Sequence, residues 1–456
     1  MSAEMKNILV ESKLLRDSYR CVKHASGLTV FIYPKAEMRS TYAVFGTRYG
    51  SIDKVFKRSD EAKAETTPAG IAHFLEHKLF ESEDGDAFGR YAEIGASANA
   101  YTSFETTRYL FSCTENAEQA LEILLDFVQS PYFTKQTVEK ELGIIGQEIK
   151  MYDDDPQWRM MFSLLRAMYH THPIKDDIAG TVESIAEITP EYLYRCYNTF
   201  YNLNNMALCV CGNCTEEEVL ALCDKMLKKS EPVEVERVFE EEPDTIVQPL
   251  VEEKLPVACP MFQFGVKEAV TGAHRTEKDL AVTEVLLDIM ASDSSPMFRK
   301  LLDAGLVNEA SFSYEYFEGT GCGALLFGGE SGNPEAVCDA IREEMARLKR
   351  EGVKEEDVRR SAKSLYGANV SGLNSPDVIA NAVMTMHFND RELFRYIECF
   401  SEITAEDVNA RIQTLFDMDE DEDFSYEPED YEDEPTEDEP EMDESDPFYF
   451  SEGMHL

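Results

Sequence analysis

Basic residues are scarce in this 456-residue chain: 43 Lys and Arg stand against 89 Asp and Glu, for a formal net charge of -46. Twenty of the acidic residues crowd into 417–456, which holds no Lys or Arg, so a net charge of -26 remains on the rest. Such a surface repels a phosphate backbone and argues against nucleic acid as a partner, while it suits basic peptides or simple solubility. Long apolar runs are missing too. The start, MSAEMKNILVESKLL, has no basic segment leading into an apolar one, and no later stretch is long enough to span a bilayer. A cytoplasmic protein without membrane contact is the expectation. The eleven cysteines do not make a disulfide framework in so long a chain, and an odd number cannot all pair, which fits reduced thiols. GALLFGGES (323–331) lacks the Lys-Ser/Thr of a phosphate loop. Cys209, Cys211 and Cys214 have no second cysteine pair at ligand spacing and read as filling of a buried strand and its turn. His170 and His172, just before Pro173, read as loop residues.

What is present is a folded protein. The hydrophobic share of 43% and aromatic share of 11% are globular, and the length calls for two or three domains. Segments 29–34 and 40–50 cluster β-formers as a hairpin would, and 66–83 reads as an amphipathic helix opened by Thr or Pro. Two strands follow in 99–113, a helix in 116–129, a long helix in 134–156 ending near Pro156, and a buried strand in 205–213. Thr215 and Glu218 form a capping box for the next helix. Residues 230–254, rich in Glu, Pro and Val without a period, are placed as a linker. Beyond it the order repeats: 261–270 answers the first strands, 279–291 the helix within 66–83, 323–331 and 336–349 the strand and helix of 106–129, and 354–370 the long helix. The predicted fold class is therefore α+β, with two tandem homologous domains, each a mainly antiparallel sheet packed with helices. The boundaries are 1–229, a linker at 230–254, 255–416, and a low-complexity acidic extension at 417–456 that is too polar to order itself.

One string carries chemistry: His73-Phe74-Leu75-Glu76-His77. Residues four apart on a helix share a face, so His73 and His77 can present two imidazoles to one metal, with Glu76 beside them. Neutral imidazoles suit Zn²⁺, which then takes a third protein ligand and keeps a position open for water; a nearby carboxylate can take that water's proton. This is the inverted H-x-x-E-H arrangement of zinc peptidases. The plain alternative is a pair of surface or satisfied histidines. Glu148, 71 residues beyond His77, is the candidate third ligand. Glu141 lies two turns before it on the same helical face, where it would support the site. Gly143 and Gly146, costly inside a helix, are expected to mark close packing.

The chain resembles the pitrilysin/insulinase family of zinc metallopeptidases, which includes the mitochondrial processing peptidases. The likeness rests on GIAHFLEHKLFE (70–81), GASANAYTSFETTRYLFS (95–112), EKELGIIGQEIKMYDDDPQWR (139–159), HPIKDDIAGTVESIAEIT (172–189) and YNLNNMALCVCGN (201–213). It covers the first 225 residues well and the remainder, to about 416, weakly. GIIGQEIKMYDDDP looks most like a bacterial short-chain subgroup found near genes for elongation factor P modification. The resemblance implies one Zn²⁺ per chain on His73, His77 and Glu148, with Glu76 as catalytic base, Glu141 in support, and substrate bound by the strand around Asn99 and Ala100. It also implies paired domains that close as a clamshell around peptide substrates, the first domain catalytic and the second not. Family members that work alone carry an arginine and a tyrosine in the second domain near a Gly-Leu turn. In FRKLLDAGLVNEASFSY (298–314) the matching positions hold Leu301 or Leu302 and Asn308. A zinc metalloendopeptidase acting as the zinc-bearing half of a heterodimer follows from this, with an inactive relative supplying the pair, or a homodimer. The alternative is a non-catalytic scaffold or peptide-binding subunit of a modification or assembly complex.

Overall fold

A computed structural model describes residues 7–83, 85–269, 272 and 274–416; the acidic extension at 417–456 lies outside the described residues. The main sheet comprises β1 (Asn7–Ser12), β2 (Asp17–Lys23), β3 (Thr29–Pro34), β4 (Thr41–Thr47), β9 (Ser97–Thr102), β10 (Thr107–Cys113) and β11 (Met206–Gly212). Its order is β1-β2-β3-β11-β4-β10-β9, with β11 parallel to β3 and every other pairing antiparallel. The hairpin expected from 29–34 and 40–50 does not form. β11 inserts between β3 and β4, and all seven of its residues are buried, as a central strand requires. β1 and β9 are the two outer strands. Short strands β5 (Val55–Arg58) and β6 (Glu65–Thr66) form a separate sheet with β12 (Val235–Arg237), and β7 (Glu81–Ser82) pairs with β8 (Gly85–Asp86).

Helices of the first half are α1 (Ile71–Leu79), α2 (Ala87–Glu93), α3 (Ala117–Phe127), α4 (Lys135–Asp154), α5 (Pro156–Met168), α6 (Val182–Ile185), α7 (Pro190–Phe200) and α8 (Glu216–Met226). α1 is not opened by Thr or Pro; Gly70 precedes it at φ 85°, where a side chain would sit 2.3 Å from the Ala179 carbonyl. Nor is it amphipathic, since eight of its nine residues are buried. α4 starts from a capping box at Thr134 and Thr137. It stops at Asp155, whose side chain accepts from the N–H groups of Gln157 and Trp158 and so starts α5, with Pro156 in its first position.

The second half holds a smaller sheet, β13 (Met261–Glu268), β15 (Cys322–Glu330) and β14 (Ser313–Gly319), in that order and antiparallel throughout. It repeats β4-β10-β9. Around it pack α9 (Glu277–Ala291), α10 (Pro296–Asp303), α11 (Pro334–Glu351), α12 (Glu355–Gly372), α13 (Pro376–Phe388), α14 (Leu393–Cys399) and α15 (Ala405–Leu415). The duplication predicted from element order is visible as a reciprocal exchange. α13 lies on β4 and β11 of the first half, and α5 lies on β13 of the second. Each contact is made through a strand glycine: a side chain at Gly46 would meet Met384 and Phe388 of α13, and one at Gly265 would meet Met168 and Leu164 of α5. The main sheet is thus buried on both faces. Ile32, Phe45, Phe111 and Val210 face the first half's own helices. Phe31, Val44, Cys209 and Cys211 join the second half's core, which fixes these thiols as packing groups.

The stretch expected as a linker, 230–254, contains β12 near its start; residues 238–260 beyond it hold no helix or strand, but they are tied down. Glu242 accepts from the N–H groups of His170, Thr171 and His172 and pairs with Lys267. Glu253 pairs with Arg159. Among the described residues, no helix is long and apolar enough to cross a membrane.

Candidate metal centre

α1 and α4 pack against each other, and the facing residues are those the spacing selects. His73 and His77 lie one turn apart with ring centroids 4.6 Å from each other. Glu148 reaches both: its Oε1 is 3.7 Å from His73 Nε2 and its Oε2 is 3.4 Å from His77 Nε2. Glu141, two turns earlier on α4, accepts from His77 Nδ1 at 3.2 Å. That bond sets the proton on Nδ1 and leaves Nε2 as the lone-pair side facing Glu148. Glu76 is buried, and Thr102 Oγ1 on β9 donates to its Oε2 at 2.6 Å.

Burial, with the neighbouring His77, lowers His73 to a pKa of about 3, so its imidazole is neutral at physiological pH. Burial works the same way on His77, but the Glu141 hydrogen bond and the surrounding carboxyls outweigh it and raise its pKa. Glu141 is the converse: burial raises it, and His77, Lys78 and Lys140 more than offset this. Burial pushes Glu76 up to about 7, against the pull of the Thr102 hydroxyl.

The donor set fits zinc. Zinc bonds to nitrogen and oxygen of about 2.0–2.2 Å need donors gathered within a few ångströms, and each Glu148 oxygen already faces a different imidazole, Oε1 at 3.7 Å from His73 and Oε2 at 3.4 Å from His77. One donor atom from each of His73, His77 and Glu148 lies within 4.8 Å of the others. Three carboxyl groups surround two imidazoles, one of them held neutral, and a cation would balance that excess.

Asn99 and Ala100 sit on β9, the outer strand of the sheet, with Asn99 exposed and its Oδ1 accepting from the Ala100 N–H at 2.9 Å. Two site residues escape sequence reasoning. Thr102 carries no motif of its own; Tyr152 does leave a trace, four residues after Glu148, and its hydroxyl donates to Glu148 Oε1 at 2.7 Å. The close packing expected at Gly143 and Gly146 is absent. A side chain at either would meet nothing within 4 Å, because both lie on the side of α4 away from Glu141 and Glu148. In the second half, Leu301 is buried in α10, and Asn308 turns its side chain onto the N–H groups of Ala310 and Ser311.

Comparison with known proteins places the chain among its relatives. Residues 62–182 match the family described as "Insulinase (Peptidase family M16)", and residues 187–365 match "Peptidase M16 inactive domain". The chain is 40% identical over 410 residues to "Uncharacterized zinc protease YmfH" of Bacillus subtilis, covering 89% of this chain and 95% of that one. A crystal structure of an M16-like peptidase from Alicyclobacillus acidocaldarius superposes with a TM-score of 0.81 at 35% identity, over 91% of this chain and 96% of that one. Pitrilysin, at 14% identity and a TM-score of 0.69, shares the fold alone; 90% of this chain matches 45% of its length. The two-domain α+β architecture is that of the clamshell peptidases. With a family match that opens ahead of His73 and runs past Glu148, and a relative alike over almost its whole length, this chain belongs to the insulinase family of peptidases, M16.

Proposed function

We propose that the chain is a zinc-dependent endopeptidase acting on peptides or small unfolded polypeptides, with one Zn²⁺ held by His73, His77 and Glu148. The observation that carries this reading is the convergence of three donor atoms within 4.8 Å beside the buried carboxyl of Glu76. Zinc in such a site polarises a peptide carbonyl and makes water a nucleophile near neutral pH. The protein's own groups do the rest. Glu76 takes the proton from the attacking water and returns it to the leaving amine. Thr102 occupies Glu76 Oε2, which leaves Oε1 for that exchange. Glu141 holds His77 in the ligating tautomer. The outer strand β9 receives an extended peptide by main-chain hydrogen bonds, with the Asn99 side chain giving up the Ala100 N–H to it.

The arginine and tyrosine donors for the developing oxyanion are the part this chain lacks: Leu301 and Leu302 carry no polar group, and Asn308 spends its amide on Glu330, Ala310 and Ser311, which weakens stabilisation of the tetrahedral intermediate. We assign them to a second chain, an inactive relative that carries the arginine and tyrosine. Eleven cysteines without a disulfide suit a cytoplasmic site of action.

The test is cleavage of a quenched fluorescent peptide library by the purified chain. Glu76→Gln should keep zinc and lose about 10²-fold or more in turnover; full turnover in that variant refutes the assignment. Glu148→Gln should lose zinc itself, read by metal analysis. Zinc-dependent cleavage by the chain alone favours a self-sufficient peptidase, whereas zinc without cleavage favours the heterodimer.

A further inference from the structure

Segment 172–189 takes no part in the chemistry above, yet it touches both helices that carry the metal site. Tyr152 donates its hydroxyl to Glu148 Oε1, and its ring stacks on Trp158 with centroids 4.5 Å apart and planes 15° from parallel. Trp158, in the first turn of α5, donates its indole N–H to Asp177 Oδ2 at 2.5 Å. The other oxygen of Asp177 accepts from the Ala179 N–H at 2.8 Å. Ala179 in turn lies against Gly70, where α1 begins, so closely that only glycine fits. Ser184 closes the same corner by donating to the Ala69 carbonyl at 2.9 Å.

A glutamate side chain has three rotatable bonds and loses their freedom when it ligates. On α4, Asp153, Asp154 and Asp155 follow Glu148, and the helix's last turn has no basic residue that could hold its carboxyl. Something must hold its carboxyl toward the histidines before an ion arrives, and the Tyr152 hydroxyl is the donor in place.

We propose that Tyr152 is a positioning residue for Glu148, and that the relay Asp177–Trp158–Tyr152 anchors that ligand to the same turn that starts the histidine-bearing helix α1. The spacing of the three donors is then set by one loop touching both helices, and zinc affinity depends on residues that never touch the ion. This rests on the zinc reading given above.

Zinc affinity of the full chain, measured by competition with a chromophoric chelator, tests it without reference to turnover. Tyr152→Phe keeps the stack and removes one hydroxyl, so the metal-free variant should melt with the wild type while its zinc affinity falls about 10–100-fold. Trp158→Phe keeps an aromatic partner and removes the bond to Asp177, and it should also weaken zinc binding. Trp158 is the single tryptophan of the chain, so its emission should change on zinc titration of the wild type, with the midpoint the chelator gives. Affinity within twofold of wild type in Tyr152→Phe overturns the positioning role, and the same result in Trp158→Phe overturns the relay. If the wild type binds zinc no better than Glu148→Gln, the zinc reading itself has failed, and the two failures are distinct.

Discussion

Glu76 sits in a helix that is almost wholly buried, and one hydroxyl decides which of its oxygens is free. A hydrogen bond to a charged group contributes roughly 1.5–3 kcal/mol, so Thr102→Val should lower kcat by about 10–100-fold. KM and zinc content should stay as they are, and Thr102→Ser should restore most of the rate. Steady-state kinetics of the three proteins check this; a change confined to KM would place Thr102 in substrate binding instead. The spacing of residues four and seven apart on two helices reveals the histidines, Glu141 and Glu148, because helical geometry alone brings those side chains to one face. Thr102 lies 26 residues from Glu76 and meets it only through the packing of β9 on α1, which leaves no local mark. Gly143 and Gly146 mislead for the opposite reason: a helical glycine signals close approach only when something packs there, and here nothing does.

Single elements declare themselves where their own side chains report the environment. α4 does so through its Thr134 cap, and β11 through seven consecutive buried residues. The split hairpin could not be read in this way. β3 and β4 are neighbours in sequence, whereas the strand that separates them arrives some 160 residues later, and long-range pairing has no signature within a short window. The exchanged helices α5 and α13 are equally silent, except at the glycines they cross. Gly265→Val would thrust methyl groups against Met168 and Leu164 and should destabilise the protein by about 1–3 kcal/mol. Urea unfolding is the measurement. Because α5 and α13 join the cores of both halves, the transition should stay single; two separated transitions would mean that the halves fold independently.

Across the whole molecule the halves are also pinned by charge. Glu105, in the turn between β9 and β10, accepts from the N–H and hydroxyl of Thr320 and lies 3.3 Å from His274 Nε2. Glu318, itself paired with Arg391, flanks the other ring nitrogen. Burial pulls His274 down, but Glu105 and Glu318 outweigh it and raise its pKa to about 9. An unfolded histidine titrates near 6.5, so the folded chain holds this proton more tightly. The contribution is complete below about pH 6.5 and fades as the pH rises through about 9. His274→Gln should therefore cost on the order of 2 kcal/mol at pH 6 and close to nothing at pH 10. Unfolding free energies of both proteins at the two pH values decide it, and an equal cost at both counts against the pairing. The main sheet, finally, ends in β9 on one side and on the other in β1, which exposes Ile8 and Leu9. An open strand edge is a template for any extended chain, and another copy of the same protein is the commonest one at hand in a concentrated solution. The large negative charge keeps such copies apart over a screening length of about 8 Å at physiological ionic strength. Colloidal stability and an accessible strand are thus joined: light scattering should rise as salt is added, and the acidic surface would be what lets the edge remain open without seeding aggregates.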